Sequence, residues 1–276
     1  MTTLDARTHP RNAALLPQPD TAAPHQALLR VDRAHPFFFD HPLDHLPGLL
    51  LLEAAVQLVQ RGAPSGHFVS AIEGRFLRYA LFDAPVYLEA RPLGQMIHCV
   101  TLSQRGQARA EITVTLAPFA LPAAQGSQPR PLGLCPAPQT ALNKTRPENV
   151  LIATPQISGD SVSAWLLPPP EACLMTDSAQ ALHPLCLLEA FMQVQRFLNS
   201  QRPEMGRMRD ILTGVSFRQY APVMDRTTGL RIDGAARFTE TGPSRLSRKA
   251  TIAQGGIAFA ECALHTALAG RATSTG

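Results

Sequence analysis

The chain has 276 residues, enough for one large domain or two ordinary ones, and 45% of them are apolar, so a substantial core can form. Charged residues make up only 17%, and the formal net charge of +4 is spread out, with no run of lysine and arginine among aromatic residues. This pattern argues against nucleic-acid binding, whereas the mild positive charge suits an acidic partner such as a carrier protein.

Five cysteines without a CxxC pair indicate reduced thiols, not a disulfide framework or a zinc site. We therefore expect a cytoplasmic protein without a bound metal. The sequence contains no P-loop, GxGxxG, HExxH or GxSxG pattern, and we expect no cofactor. The first 30 residues do not have the pattern of a signal peptide, and the longest apolar run, interrupted by Glu53, is too short to span a membrane.

The first half of the chain predicts one long helix and an antiparallel sheet. Residues 1–25 are rich in threonine, alanine, proline and asparagine, which predicts a flexible lead-in. A short strand pattern near Leu28 and a loop of histidine, proline and aspartate follow. Residues 49–60 combine good helix formers with apolar side chains on nearly every side, which predicts a buried helix. Residues 68–117 alternate polar and apolar side chains, as half-buried strands do.

The second half repeats this order after a proline- and glycine-rich stretch, residues 118–148, that predicts a linker. Three sequence blocks recur in the same order: Leu51–Ala54 with Leu187–Ala190, Phe76–Ala80 with Phe217–Ala221, and Gln104–Glu111 with Gln254–Glu261. The predicted fold class is therefore α+β: a double hotdog in which each repeat is a long central helix wrapped by an antiparallel β-sheet. We place repeat 1 at residues 26–117 and repeat 2 at residues 149–270.

The most specific signal lies in residues 35–54, which read HPFFFDHPLDHLPGLLLLEA. This block resembles the hydroxyacyl-carrier dehydratases, in which a histidine precedes Pro-Gly and a glutamate follows the glycine by five residues. Together with RFLRYALFDAPV at residues 75–86, it is more similar to the A-factor biosynthesis hotdog family (AfsA-like γ-butyrolactone biosynthesis proteins). This resemblance covers residues 28–92.

The resemblance implies an acyltransferase. It would move a β-ketoacyl group from an acyl carrier protein, held as a phosphopantetheine thioester, to the hydroxyl of dihydroxyacetone phosphate in the biosynthesis of a signal or secondary metabolite. Such transfer needs a base near the hydroxyl and hydrogen-bond donors around the carbonyl oxygen. Expected partners are this carrier or acyl-CoA and a small hydroxylated acceptor, and pairing of two chains as a homodimer stays open.

Four residues are candidates for catalysis. A carboxylate inside an apolar helix is costly unless it reacts or is paired, which makes Glu53 the leading candidate. Glu189 holds the matching place in repeat 2. His41 and His45 are alternative bases, although a histidine in such a loop is often only hydrogen-bonded to a neighbouring aspartate.

Five further residues are candidates for substrate binding. Gly48 would offer its N–H to the carbonyl oxygen, or would serve only a close backbone approach. Asp44 would hold the loop, for example by capping the helix start. Gln57 and Gln193 would bind substrate or pair polar groups between helices. Asp177 falls opposite His41, because each lies twelve residues before its glutamate.

Three other functions remain open. A hydroxyacyl-thioester dehydratase or hydratase would use His41 as base with Glu189 or Glu53 as acid. The chain would otherwise be a thioesterase, or an acyl-binding scaffold without turnover. Val56 and Met192 stand where the family usually carries an arginine, three residues after the glutamate, and this favours the last two functions.

Overall fold

The computed structural model describes residues 3–17, 23–120, 129–168, 170, 172–202, 208–224, 229–242 and 245–270. Its described strands form one sheet in which neighbouring strands pair antiparallel, in the order β1-β3-β4-β5-β2-β8-β12-β11-β9-β7-β6, with β10 beside β11. The first-half strands are β1 (Gln26–Leu28), β2 (His67–Phe76), β3 (Tyr87–Gly94), β4 (Ile97–Gln104) and β5 (Gln107–Pro118). The second-half strands are β6 (Gln156–Ser158), β7 (Ser161–Trp165), β8 (Met208–Gln219), β9 (Leu230–Ala235), β10 (Thr239–Gly242), β11 (Arg245–Gln254) and β12 (Ile257–Gly270).

Two long helices lie against this sheet, α1 (Gly48–Gln60) and α3 (Pro184–Ser200), while α2 (Gln139–Leu142) is a single turn. Leucine, alanine and glutamine favour the helical backbone in α1 and α3. All residues of α1 except Gly48 and Gln57 are buried, as the apolar sequence predicts. The architecture is the predicted α+β double hotdog. No helix in the described part of the chain is long and apolar enough to cross a membrane.

The two halves join where β2 pairs with β8. Ala71 pairs with Arg218 at one end of this ladder, and Arg75 pairs with Gly214 at the other. Gly74 pairs with Val215, and a Cβ atom on Gly74 would lie 3.0 Å from the side chains of Leu52 and Val215. Glycine therefore allows α1 to pack tightly on the seam. Gly74 and Val215 are separated in sequence by the same distance as the repeated Phe76 and Phe217, so a pseudo-twofold axis passes through this pair.

The segment before the first repeat differs from the predicted flexible lead-in. Among its described residues, Leu4, Ala14 and Leu15 are buried in apolar clusters. The N–H of Leu4 donates to the carbonyl of His67 at 2.9 Å, and the Asp5 carboxylate accepts from the N–H of Val69 at 2.8 Å. These contacts make residues 3–17 part of the first unit. Composition alone missed them because the apolar residues are few and widely spaced.

The predicted linker is also shorter than residues 118–148. Strand β5 extends to Pro118, and residues 121–128 lie outside the described residues. Ala137 and Leu142 are buried in the main core, and α2 packs against α3. Residues 137–148 therefore belong to the second unit, because their few apolar side chains are used for packing.

Candidate active site

Two short segments with the same sequence pattern precede the two helices. Residues 7–12 read RTHPRN and residues 144–149 read KTRPEN, and each ends in a 3₁₀ turn, Pro10–Asn12 and Pro147–Asn149. We call residues 7–14 strap 1 and residues 144–151 strap 2. This echo was missed in the sequence comparison, because both segments fell outside the predicted repeats.

A glutamine fastens each strap to the helix of its own half. The side chain of Gln57 accepts from the N–H of Ala14 at 2.8 Å and donates to the carbonyl of Asn12 at 2.7 Å. Gln193 accepts from the N–H of Leu151 at 2.9 Å and donates to the carbonyl of Asn149 at 2.8 Å. Gln57 and Gln193 therefore hold the backbone of the straps through both atoms of their side-chain amides.

An aspartate fastens each strap to the loop of the opposite half. Asp177 accepts from the N–H of Thr8 at 3.0 Å and also from its hydroxyl. Asp40 accepts from the N–H of Thr145 at 3.3 Å and from its hydroxyl at 2.6 Å. The counterpart of Asp177 is thus Asp40, whereas counting back from the glutamates placed His41 there. The first-half loop is one residue longer, which shifted that comparison.

The asparagines of the straps repeat this crossing. The side chain of Asn12 donates to the carbonyl of Leu174 at 2.9 Å, and that of Asn149 donates to the carbonyl of Pro36 at 2.8 Å. Each strap therefore fixes its own helix and the loop of the other half. Asp177 anchors strap 1 through these contacts.

A cavity of about 540 Å³ opens between the start of α1 and the middle of α3. It receives His41, His45 and Gly48 from the first half and Lys144, Glu189 and Arg196 from the second. Much of the remaining wall is apolar, including Phe37, Phe38, Leu51, Phe76, Met192 and Leu212. A cavity of this size, lined by both apolar and polar side chains, suits an acyl chain with a reactive head.

Glu189 is the carboxylate of this cavity. It is 1% exposed, and its Oε1 accepts from Arg196 at 2.8 Å, contacts Lys144 Nζ at 3.0 Å and accepts from Gln193 at 3.2 Å. Burial alone would raise the pKa of Glu189, but the charges of Arg196 and Lys144 lower this pKa to about 2. Glu189 is therefore an ionised carboxylate that organises two cations.

His41 lines the same cavity. Its Nδ1 is buried and has no hydrogen-bond partner within the described residues. Burial, and then the charges of Arg196 and Lys144, lower the pKa of His41 below its ordinary value of 6.5. The imidazole is consequently neutral near pH 7 and can accept a proton.

His45 and Asp44 form a pair at the edge of the cavity. His45 Nδ1 donates to Asp44 Oδ1 at 2.5 Å, and the His45 ring lies 4.3 Å from the ring of Tyr79. Asp44 is mostly exposed and does not cap α1, whose N-cap residue is Pro47 without a side-chain hydrogen bond. Asp44 thus orients His45, which lines the cavity with His41.

The start of α1 supplies hydrogen-bond donors. Gly48 and Leu49 begin the helix and line the cavity, and their N–H groups have no acceptor within the described residues. The helix dipole adds partial positive charge at this end. A Cβ atom on Gly48 would lie 3.1 Å from the ring of Phe76, so glycine permits the close approach of helix and strand.

Glu53, the leading sequence candidate, does not line this cavity. It is 0% exposed, and Arg7 donates to both of its oxygens, at 2.8 Å to Oε2 and 3.2 Å to Oε1. Gln57 donates to Oε1 at 2.6 Å. Burial would raise the pKa of Glu53, but Arg7 lowers it to about 2. We therefore assign Glu53 a structural role.

The surroundings of Glu53 are filled by the protein itself. Arg7 Nη1 donates to the carbonyls of Met175 and Asp177, both at 2.7 Å. His183 is the N-cap residue of α3 and is fully buried, with Nε2 3.7 Å from Glu53 Oε1. Burial lowers the pKa of His183 to about 3, so this ring is neutral. The half-site at Glu53 is sealed, whereas the half-site at Glu189 is open.

Comparison with protein families matches residues 9–120 to the model described as A-factor biosynthesis hotdog domain. A curated relative from Streptomyces virginiae, named 2-oxo-3-(phosphooxy)propyl 3-oxoalkanoate synthase, is 45% identical over 74 residues, covering 26% of this chain and 25% of the relative. A protein of the same name from Streptomyces coelicolor is 54% identical over 66 residues, covering 22% and 20%. The aligned part thus spans a quarter or less of these relatives.

Solved structures share the fold at low sequence identity. The TesB protein of Mycobacterium avium subsp. paratuberculosis has a TM-score of 0.60 and 14% identity, covering 91% of this chain and 95% of that one. A hotdog-fold protein from Alicyclobacillus acidocaldarius has a TM-score of 0.60 and 14% identity, covering 96% and 100%. Both likenesses extend over the two halves. The chain has the double-hotdog fold, and its residues 9–120 are similar to the A-factor biosynthesis hotdog domain.

Proposed function

We propose that the chain transfers a 3-oxoacyl (β-ketoacyl) group from a thioester to the hydroxyl of a phosphorylated acceptor such as dihydroxyacetone phosphate. The observation that carries this proposal is the cavity lined both by a neutral His41 and by Gly48 and Leu49, whose N–H groups have no acceptor within the described residues. The names of the curated relatives describe a product of this kind, a phosphooxypropyl ester of a 3-oxo acid.

Substrate binding follows from the walls of the cavity. The acyl tail would lie among Phe37, Phe76 and Met192. The thioester carbonyl oxygen would point to the N–H groups of Gly48 and Leu49, where the helix dipole favours negative charge. These donors are in place before the reaction, which is how an oxyanion is stabilised efficiently.

The reaction itself needs one base. His41 accepts the proton of the acceptor hydroxyl while its oxygen forms a bond to the thioester carbon. The carbonyl oxygen becomes an oxyanion held by the N–H groups of Gly48 and Leu49. Collapse of this intermediate breaks the carbon–sulfur bond, and the protonated His41 returns its proton to the leaving thiolate. The products are the ester and a free thiol.

Glu189 distinguishes this reaction from dehydration. A dehydratase needs a protonated acid that gives a proton to the departing hydroxyl. With a pKa of about 2, Glu189 is ionised and paired with Lys144 and Arg196. It is suited to hold those cations and not to donate a proton, which favours transfer over water loss.

The partners would be recognised by cations at the cavity. Arg196 is partly exposed, at 31%, and Arg78 is exposed on the cavity wall. Guanidinium groups bind phosphate through paired hydrogen bonds, and they also suit an acidic carrier protein. Arg196 lies about one turn beyond Met192, where the sequence lacked the expected arginine.

All five cysteines are free, in keeping with our placement of the reaction in the cytoplasm.

The test is a product analysis by mass spectrometry. A 3-oxoacyl carrier protein is incubated with the enzyme, with and without dihydroxyacetone phosphate. We expect the ester only with the acceptor, and its loss in His41→Gln but not in the exposed control His25→Gln. Water loss alone would indicate a dehydratase, acceptor-independent free acid a thioesterase, and binding without product a scaffold.

A further inference from the structure

Lys144 is a buried ammonium group in the cavity wall. Its side chain is 4% exposed, with Nζ 3.0 Å from Glu189 Oε1 and 4.3 Å from the ring centroid of Phe37. The chain has only two lysines and otherwise uses arginine for positive charge, including at the equivalent position, Arg7. A lysine here is therefore a departure from the composition of the chain.

The two equivalent cations differ in how many of their donors are used. Arg7 donates to Glu53, to the carbonyl of Met175 and to the carbonyl of Asp177. Lys144 has three N–H donors but, within the described residues, meets only one acceptor, Glu189. Nζ also lies over the ring of Phe37 and beside the cavity, and a buried donor without an acceptor is costly. A bound ligand that supplies an acceptor would remove this cost.

We propose that Lys144 binds the 3-oxo oxygen of the acyl group and so distinguishes 3-oxoacyl from saturated acyl thioesters. This inference rests on the proposed acyl transfer. A ketone oxygen is a neutral acceptor that needs no further cation. A saturated chain lacks this oxygen and leaves the ammonium donors unpaired, so the site disfavours it.

The phosphate group of the substrate that receives the acyl chain is the other group that Lys144 could bind, but it fits Lys144 less well. A phosphate at Lys144 would lie beside the Glu189 carboxylate, whose Oε1 is 3.0 Å from Lys144 Nζ and whose negative charge would repel it. Arg78 and Arg196 are more exposed and can bind a hydrated dianion nearer to solvent. The buried position therefore favours the ketone, and the exposed arginines favour the phosphate.

The experiment measures acyl selectivity as the ratio of kcat/KM for 3-oxooctanoyl and octanoyl thioesters. We expect the wild type to prefer the 3-oxo substrate by about tenfold or more, the effect of one charge-assisted hydrogen bond. Lys144→Met should bring the ratio close to one, through loss on the 3-oxo substrate. Lys144→Arg, which keeps charge and donors, should retain part of the preference.

The matched control is Arg7→Met, which breaks the equivalent ion pair in the sealed half. It should lower stability but keep the wild-type ratio. An equal loss on both acyl substrates in Lys144→Met would overturn the proposal. The proposal would also be overturned if Lys144→Met kept the ratio of kcat/KM for the two acyl thioesters but no longer distinguished dihydroxyacetone phosphate from dihydroxyacetone. That result would assign Lys144 to the phosphate.

A binding measurement separates this inference from the proposed function. Pantetheine analogues with an amide in place of the thioester, carrying either acyl group, are titrated calorimetrically into the same variants. A 3-oxo preference that disappears in Lys144→Met supports the role of Lys144 even if no ester forms, in which case only the transfer reaction fails. Equal affinities in the wild type would refute the role of Lys144 while leaving transfer intact.

Discussion

Two glutamates with the same local sequence have different environments. Glu53 and Glu189 each follow two leucines and precede an alanine, and both are ionised with a pKa of about 2. Of the two, only Glu189 lines the cavity, where its cations are Lys144 of strap 2 and Arg196, whereas Arg7 fills the space beside Glu53. The sequence predicts that each carboxylate lies in an apolar helix and either reacts or is paired. It does not predict which one is accessible, since this depends on residues distant along the chain.

Substitution of the two glutamates should separate stability from activity. Glu53→Gln leaves the buried Arg7 without a counter-charge, and we expect a loss of about 3–5 kcal/mol in the free energy of unfolding. Urea unfolding measures this loss, and turnover by the folded fraction should persist. Glu189→Gln should lower kcat about 100-fold by misplacing Lys144 and Arg196. The assignment is wrong if Glu53→Gln abolishes turnover in a fully stable protein.

The pH dependence of transfer should report His41. The reactive form is the neutral imidazole, which is populated above its pKa. Because burial and the nearby cations lower this pKa below 6.5, kcat/KM should rise with pH at acidic values and be level near pH 7. A single-turnover pH profile measures this rise.

His41→Gln should lower kcat by a factor of about 10²–10⁴, and its remaining activity should lose the acidic limb. His45→Gln is the matched control and should retain this limb. If the limb disappears in His45→Gln and persists in His41→Gln, then His45 is the base.

At the scale of elements, the straps connect the two halves to the site. Strap 2 carries Lys144 and, through Thr145, holds Asp40, the residue before His41. Strap 1 makes the equivalent contact between Thr8 and Asp177 in the sealed half. The chain therefore contains the same interaction twice, once next to the cavity and once away from it.

This pair of contacts allows a controlled test of positioning. Thr145→Val and Thr8→Val each remove a hydroxyl that donates to a carboxylate, at an expected cost of about 1.5–3 kcal/mol in stability. Only Thr145→Val should lower kcat, because it frees the loop of His41. Steady-state kinetics and urea unfolding of both variants measure the two effects. Equal kcat values in the two variants would contradict the positioning role.

Sequence reasoning predicted the elements better than their boundaries. The helix and strand patterns indicated two hotdog units, because periodicity is a local property. The straps were assigned to a lead-in and a linker, because they contain few apolar residues. Their shared Thr-x-Pro-x-Asn pattern was present at Thr8–Asn12 and Thr145–Asn149 and would have been found by comparing all segments. The extra loop residue before α1 could not be located without the Asp40–Thr145 contact.

At the scale of the molecule, one open site is built from both halves. His41 and Gly48 come from the first half, and Lys144 and Glu189 come from the second. We therefore expect one acyl group bound per chain. Calorimetric titration with the amide analogue of the 3-oxoacyl thioester should give a stoichiometry of one, and a value of two would show that the half-site at Glu53 opens.

The whole molecule should also lose stability in acid. Burial lowers the pKa of His183 to about 3 and, as the main cause, that of His35 to about 4, against 6.5 for an unperturbed histidine. As the pH falls below 6.5, the unfolded chain binds these protons first, so the free energy of unfolding decreases. Asp5 opposes this change, because burial raises its pKa in the folded chain to about 6 from the ordinary 3.8. As the pH falls, the folded chain therefore binds this proton before the unfolded chain does.

Urea unfolding between pH 7 and pH 4 measures the balance of these groups. Two histidines outweigh one aspartate, so stability should fall over this interval. Asp5→Asn should make the fall steeper by removing the opposing group, and His183→Gln should make it shallower. A stability that rises toward pH 4 in the wild type would contradict buried neutral histidines.

The crossed straps have a consequence for how such a molecule evolves. An ancestral assembly of two identical chains must carry every substitution in both of its sites, so a change that improves one site alters the other as well. Gene fusion removes this constraint. In this chain strap 1 carries an arginine that fills the space beside its glutamate, while strap 2 carries a lysine in the open half. Within one fused chain, one half can therefore be rigid while the other half stays open.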